Sequence, residues 1–255
     1  MKFIIKEFFV LEVLLKTTLA GLFFGTFGTT IGGIIGVTFK NTSHRFLSFI
    51  LEFAAGLMIS IVCFDLIPEA LELSNLSYTL IGVLFGVVVM IVCDNLIKKR
   101  YNTKNIKNSN SLLKTGIIVG IGLSLHNFPE GLAIGSGFGA SIKLGYSLAI
   151  AILLHDIPEG ISMSVPMRYG GMSKTKVVVY TLLSGVTTGI GAFFGALLGT
   201  IGEGVISICL SFAAGAMLYI VSGELIPESK SLYRGRFASI GNILGFVMGM
   251  IAMNL

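Results

Sequence analysis

Long apolar runs parted by short polar breaks fill almost the whole chain, at about 17–39, 45–71, 77–97, 114–138, 144–167, 175–199, 204–227 and 237–254. Runs of about 18 residues or more are long enough for a helix to cross a hydrocarbon core of roughly 30 Å. The pattern predicts an all-α polytopic membrane protein with eight transmembrane helices. Composition agrees: 54% of the 255 residues are apolar and 12% are charged. A soluble domain cannot bury that much apolar surface.

The formal charge of +5 invites a nucleic-acid partner, but its distribution excludes one. Basic residues sit in short breaks between apolar runs, where they orient helices. The longest break, 98–113, carries Lys98, Lys99, Arg100, Lys104 and Lys107, with Lys114 at its far end. Placing it in the cytoplasm also puts Lys40, Arg45, Arg168, Lys174, Lys176, Lys230, Arg234 and Arg236 inside. Fourteen of the 18 basic residues are then cytoplasmic, and Lys2, Lys6, Lys16 and Lys143 are outside. Both termini face outward on this reading, and the chain is a multi-pass protein of the plasma (inner) membrane.

The N-terminus loosely mimics a signal peptide, with Lys2, Lys6, an apolar stretch from Phe8, and Thr18-Leu19-Ala20. Glu12 and Lys16 interrupt that stretch, which instead predicts a short interfacial lead-in to the first span. Cys63, Cys93 and Cys209 are isolated in apolar segments and form no C-x-x-C pair, so they read as buried small hydrophobes.

The chain repeats itself. Phe53 to Glu69, FAAGLMISIVCFDLIPE, and Phe212 to Glu228, FAAGAMLYIVSGELIPE, agree at eleven of 17 positions with an offset of 159 residues. The same offset aligns Gly32 and Gly36 with Gly191 and Gly195, and Gly82 and Gly86 with Gly241 and Gly245. Spans 1–3 therefore match spans 6–8. A displacement of five spans is odd, so the copies must cross the membrane in opposite directions. Inverted repeats of this kind mark secondary transporters, with the site near the midplane. The glycine pairs at four-residue spacing read as close helix packing. The domain layout is a single membrane domain: 1–97 first repeat, 98–113 basic cytoplasmic loop, 114–167 unrepeated helix pair, 168–255 second repeat.

The unrepeated spans carry the chemistry, in His126-Asn127-Phe128-Pro129-Glu130-Gly131 and His155-Asp156-Ile157-Pro158-Glu159-Gly160. Three carboxylates at mid-membrane, Glu130, Asp156 and Glu159, cost roughly 8–10 kcal/mol at about 3 kcal/mol each. A bound cation would offset that cost. His126 and Glu130 are four apart, as are His155 and Glu159, so each pair shares a helix face. Two such faces turned together present two imidazoles and two carboxylates to one point. Asn127 and Asp156 lie about 100° round the helix, placed for a second, adjacent ion. Pro129 and Pro158 free the carbonyls of Leu125 and Leu154 and should kink both helices. Nitrogen and oxygen donors without thiolate suit Zn²⁺ first, then Fe²⁺, Mn²⁺ and Cd²⁺. Asp65 and Glu69 fall towards the external mouth, and Glu224 and Glu228 towards the cytoplasm, as an acidic path for cations.

With these motifs the sequence resembles the ZIP (Zrt/Irt-like) metal transporter family, most nearly its bacterial GufA-like branch. The resemblance covers all eight spans: both hexamers, the basic loop and the outward termini. It implies a 3+2+3 helix arrangement, a homodimer and metal uptake into the cytoplasm. It also implies that His126, Glu130, His155 and Glu159 hold one metal, and that Asn127, Asp156, Glu130 and Glu159 hold another. In one place the chain departs from that branch. Ser184 to Ala192 reads SGVTTGIGA, with Thr188 where relatives often carry glutamate.

Two rival classes, a membrane metalloenzyme and a metal-gated channel or sensor, would use the same ligands. The H-E-x-x-H motif of zinc proteases and the G-x-x-x-x-G-K-[ST] loop are both absent. Gly135 to Ala140 formally fits a dinucleotide fingerprint, but it ends a membrane span with no strand before it.

Overall fold

The computed structural model describes residues 2–38, 43–101 and 111–253. Those residues are helical almost throughout: α1 (Lys2–Thr38), α2 (His44–Ile61), α3 (Ile67–Leu73), α4 (Leu76–Tyr101), α5 (Ser111–Ala140), α6 (Ile142–Tyr169), α7 (Lys174–Gly199), α8 (Glu203–Ile220), α9 (Ile226–Leu232) and α10 (Arg236–Met253). A π turn at Val62–Leu66 fuses α2 to α3, and another at Val221–Leu225 fuses α8 to α9. The result is eight rods long and apolar enough to cross a membrane.

Rod ends fall where side chains satisfy the free N–H groups of a first turn. Ser43 Oγ accepts from the Phe46 amide (3.2 Å), Asn75 Oδ1 from Ser77 (3.0 Å), and Ser141 Oγ from Leu144 (3.1 Å). Ser141 is the whole connection between α5 and α6, so the two hexamer-bearing helices form a tight hairpin. The N-terminal lead-in differs from the sequence expectation: it is continuous with the first span, as one helix from Lys2. The basic break is shorter than its composition suggests, because α4 runs on to Tyr101 and α5 begins at Ser111. The stretch 102–110, with Lys104 and Lys107, and the turn holding Lys40 lie outside the described residues.

Packing puts α6 at the centre. Its apolar window is 78% buried, against 17% for α4 and 28% for α10, whose large side chains such as Leu84, Phe85 and Ile243 point outward. Leu51, Met58 and Ile61 of α2, Leu148 and Ile152 of α6, and Leu210, Met217 and Ile220 of α8 form the main apolar core. Helices α1 and α7 pack on each other and against both α5 and α6, while α10 lies on α2 and α4 on α8.

Small residues set these approaches. A Cβ on Gly32 of α1 would strike the carbonyl of Ile157 and lie 2.9 Å from Gly160 Cα. Helix α1 therefore rests on bare α6 backbone beside the second hexamer. Gly86 meets the Phe212 carbonyl, and Gly245, 159 residues on, meets the Phe53 carbonyl. The two π turns also stand 159 residues apart, and each is followed by proline, Pro68 or Pro227.

Candidate metal centre

Both hexamers sit in mid-helix. His126 and His155 lie about 20 Å from either end of α5 and α6 at 1.5 Å per residue. The helices run through Pro129 and Pro158 without a break. Neither proline donates an N–H, so the turn before each keeps a carbonyl without its helical partner.

One nitrogen and two carboxylates converge there. Donor atoms of Glu130, His155 and Glu159 all lie within 4.8 Å of one another, and none of the three residues is exposed. The His155 ring is oriented from behind: Nδ1 is 3.1 Å from the Ala151 carbonyl. A carbonyl only accepts, so Nδ1 carries the hydrogen and Nε2 is left with its lone pair. That Nε2 lies 3.1 Å from Glu130 Oε1, another lone-pair donor. Two such atoms at that distance need a positive charge between them, a proton or a metal ion. Glu130 Oε2 and both carboxylate oxygens of Glu159 are enclosed without a hydrogen-bond partner. Buried carboxylates are tolerated only when paired or coordinating, so the donor set fits a divalent cation.

His126 stands apart from this trio. Its Nε2 is 3.3 Å from Glu224 Oε2 on the second π turn. One helical turn separates His126 from Glu130, and the ring turns away along α5 towards a cavity of about 350 Å³. Asp94, Ser162, Glu224 and Glu228 line that cavity with His126. The sequence places the two imidazoles at one point, whereas here they lie at two neighbouring ones.

Asn127 and Asp156 are fully buried. The amide of Asn127 donates to the Ser184 carbonyl at 3.0 Å, which ties α5 to α7. Asp156 Oδ1 lies 3.8 Å from His155 Nε2. Asp65, on the first π turn, accepts from Ser147 Oγ of α6 at 3.0 Å, close to the α5–α6 hairpin, and Glu69 follows in the first turn of α3. The acidic residues therefore fall on opposite sides of the trio: Asp65 and Glu69 towards the hairpin, Glu224 and Glu228 towards the other end.

Sequence reasoning missed Asp94 and Ser147. Asp94 accepts from Tyr219 Oη at 2.9 Å and joins the cavity wall. A carboxylate within the apolar run 77–97 is a signal that would have found it. Nothing in the sequence distinguishes Ser147 from other serines of the spans.

Comparison with known proteins decides the family. The profile described as ZIP zinc transporter matches residues 98–255. The chain is similar to the zinc transporter ZupT of Campylobacter jejuni, 33% identical over 97% of this chain and 98% of the relative. The chain belongs to the ZIP family. A second ZupT, from Clostridium perfringens, is 32% identical over 96% of both chains. Human zinc transporter ZIP11 is 42% identical over 51% of this chain and 40% of its own length. Within a ZIP protein the buried His/Glu cluster on α5 and α6 is a metal-coordinating centre of divalent-metal type.

Proposed function

We propose that this protein carries divalent metal cations, zinc first, across the plasma membrane into the cytoplasm, by transport and not by catalysis. The observation that carries the reading is the convergence of Glu130, His155 and Glu159 within 4.8 Å, fully enclosed and midway along two membrane-length helices. One imidazole with two carboxylates is a borderline-hard donor set that suits Zn²⁺ and also accepts Fe²⁺, Mn²⁺ and Cd²⁺. The zinc transporter names of the ZupT relatives point the same way. The GufA-like branch remains the resemblance that the hexamers suggest.

Glu130, His155 and Glu159 act as the primary ligands. His126 acts as the exchange ligand, trading Glu224 for the metal and passing it towards Glu228. Asp65 and Glu69 gather cations at the outer mouth. Helices α1–α4 and α7–α10 are inverted copies flanking the α5–α6 pair, the 3+2+3 plan. Support comes from the π turns 159 residues apart, and from the pairing of α2 with α10 and of α8 with α4, which exchange under that offset. Ion flux then follows motion of one helix group against another. Both termini face outward, the basic break faces the cytoplasm, and two copies form the working dimer.

Purified protein in liposomes containing a zinc-sensitive dye tests the proposal. Wild type should give saturable zinc uptake, and the double variant His126→Ala with Glu130→Ala should give none. Undiminished uptake by the double variant would reject the site. Competition by Fe²⁺, Mn²⁺ and Cd²⁺ ranks the cargo.

A further inference from the structure

Beside the trio lies a second group of enclosed oxygens. Asn127 Oδ1, both carboxylate oxygens of Asp156 and Thr188 Oγ1 are buried without a hydrogen-bond partner. The backbone explains why two of them are free. The amide nitrogen of Asn127 is committed to the Ser184 carbonyl, so its oxygen faces the opposite way. A helical threonine ordinarily returns its hydroxyl to the carbonyl three or four residues back. Thr29, 159 residues before Thr188, does so to Gly25 at 2.8 Å. The corresponding acceptor for Thr188 is the Ser184 carbonyl, already taken by Asn127 and by Thr187 Oγ1 at 2.7 Å.

Helix α1 gathers these groups. A Cβ on Gly28 would lie 2.6 Å from Asp156 Cβ, and one on Gly25 would lie 2.5 Å from Thr188 Oγ1. Gly25 and Gly28 are three residues apart, hence on one face with Cβ positions about 5–6 Å apart. Asp156 and Thr188 therefore face the same short strip of α1. Asp156 Oδ1, 3.8 Å from His155 Nε2, joins this group to the divalent centre.

Charge selects the occupant. Glu130, Asp156 and Glu159 bring three negative charges into an enclosed volume. One divalent ion leaves an excess of one negative charge, and two leave an excess of one positive charge. Either is costly at low dielectric. One divalent and one monovalent cation close the balance. The free donors are all oxygens, two of them neutral, which is a hard set of the kind that holds Na⁺ in other transporters. A proton on Asp156 would also close the balance, but it would leave zinc affinity indifferent to sodium and sensitive to pH.

We propose that Asn127, Asp156 and Thr188 form a sodium-sized alkali-cation site adjoining the divalent position, and that both ions occupy the centre together. The resemblance to ZIP proteins implies a second divalent ion here, and the charge of this chain's donors does not match one. The inference rests on the transport reading of the neighbouring trio, and its test separates the two.

Zinc uptake into liposomes is measured at constant pH and ionic strength in sodium chloride and in N-methylglucamine chloride. Zinc binding to the same protein in detergent is measured in both salts by equilibrium dialysis. Sodium should lower the half-saturating zinc concentration by at least about fivefold, the lower end of ordinary coupling between sites. Thr188→Val, which keeps the shape and removes the hydroxyl, should make the two salts equivalent. Equal zinc affinity of the wild type in both salts overturns the sodium site, as does full replacement of sodium by a drop in pH. Absence of uptake in either salt rejects the transport reading instead, and the dialysis then still decides the sodium site.

Discussion

The two hexamers share four of six residues and the same mid-helix placement, yet their histidines do different things. His155 is locked: its Nδ1 is spent on the Ala151 carbonyl and its Nε2 faces Glu130 inside a closed trio. His126 has no such backing. Its Nδ1 is enclosed without a partner, and its Nε2 reaches across to Glu224 beside a cavity. A ligand held from behind grips one ion tightly, whereas one without that support can change partners. On the transport reading proposed above, the difference between binding and release lies behind the ring, more than in the motif.

The largest test of that contrast is His155→Ala. Changes behind a ligand cost about 10–100-fold in metal affinity, and loss of the ligand itself should exceed roughly 100-fold. Equilibrium dialysis of zinc measures it, and a change of only a few-fold would break the comparison. His126→Ala comes next: zinc affinity should stay within a few-fold while the uptake rate falls about tenfold. Equal affinity losses in the two alanine variants would erase the distinction between a gripping and an exchanging imidazole.

Gly32→Leu probes the wall behind the second hexamer. A side chain there meets the Ile157 carbonyl and must push α1 off α6. Overpacking of this kind costs about 1–3 kcal/mol, enough to lower the unfolding temperature in detergent by several degrees. An unchanged melting curve would show that α1 does not brace this helix. The smallest effect belongs to Ser147→Ala, which removes one hydrogen bond to Asp65. At about 1 kcal/mol, the half-saturating zinc concentration should shift by two- to fivefold, with binding in detergent unchanged.

Most of the architecture could be read along the chain because lipid imposes long runs of one kind and punctuation of another. Six of the eight spans end within a few residues of their expected limits; the seventh runs five residues further, to Leu232, and the charged start of the first, at Lys2, Lys6, Glu12 and Lys16, hid a continuous helix. The 159-residue register reappears in the backbone as paired π turns, although no residue type announces an i→i+5 turn. Glu130, His155 and Glu159 lie together, as four-residue spacing on two facing helices suggests, whereas the His126 ring turns to Glu224. Helical phase fixes which face a residue shares but not which way a ring turns along the axis. The free hydroxyl of Thr188 was invisible for a related reason. It depends on Asn127 of another helix occupying the Ser184 carbonyl first.

The π turns have one more consequence. Each packs an extra residue into a single coil of an otherwise regular rod, and each carries an acidic side chain, Asp65 or Glu224. Sliding that surplus one position along the rod would swing the carboxylate by about 100°, since a helix turns that far per residue. Everything beyond the swing could stay where it is. Either rod thus has a pivot at the height of its acid, where a carboxylate can turn while the helix on both sides stands still.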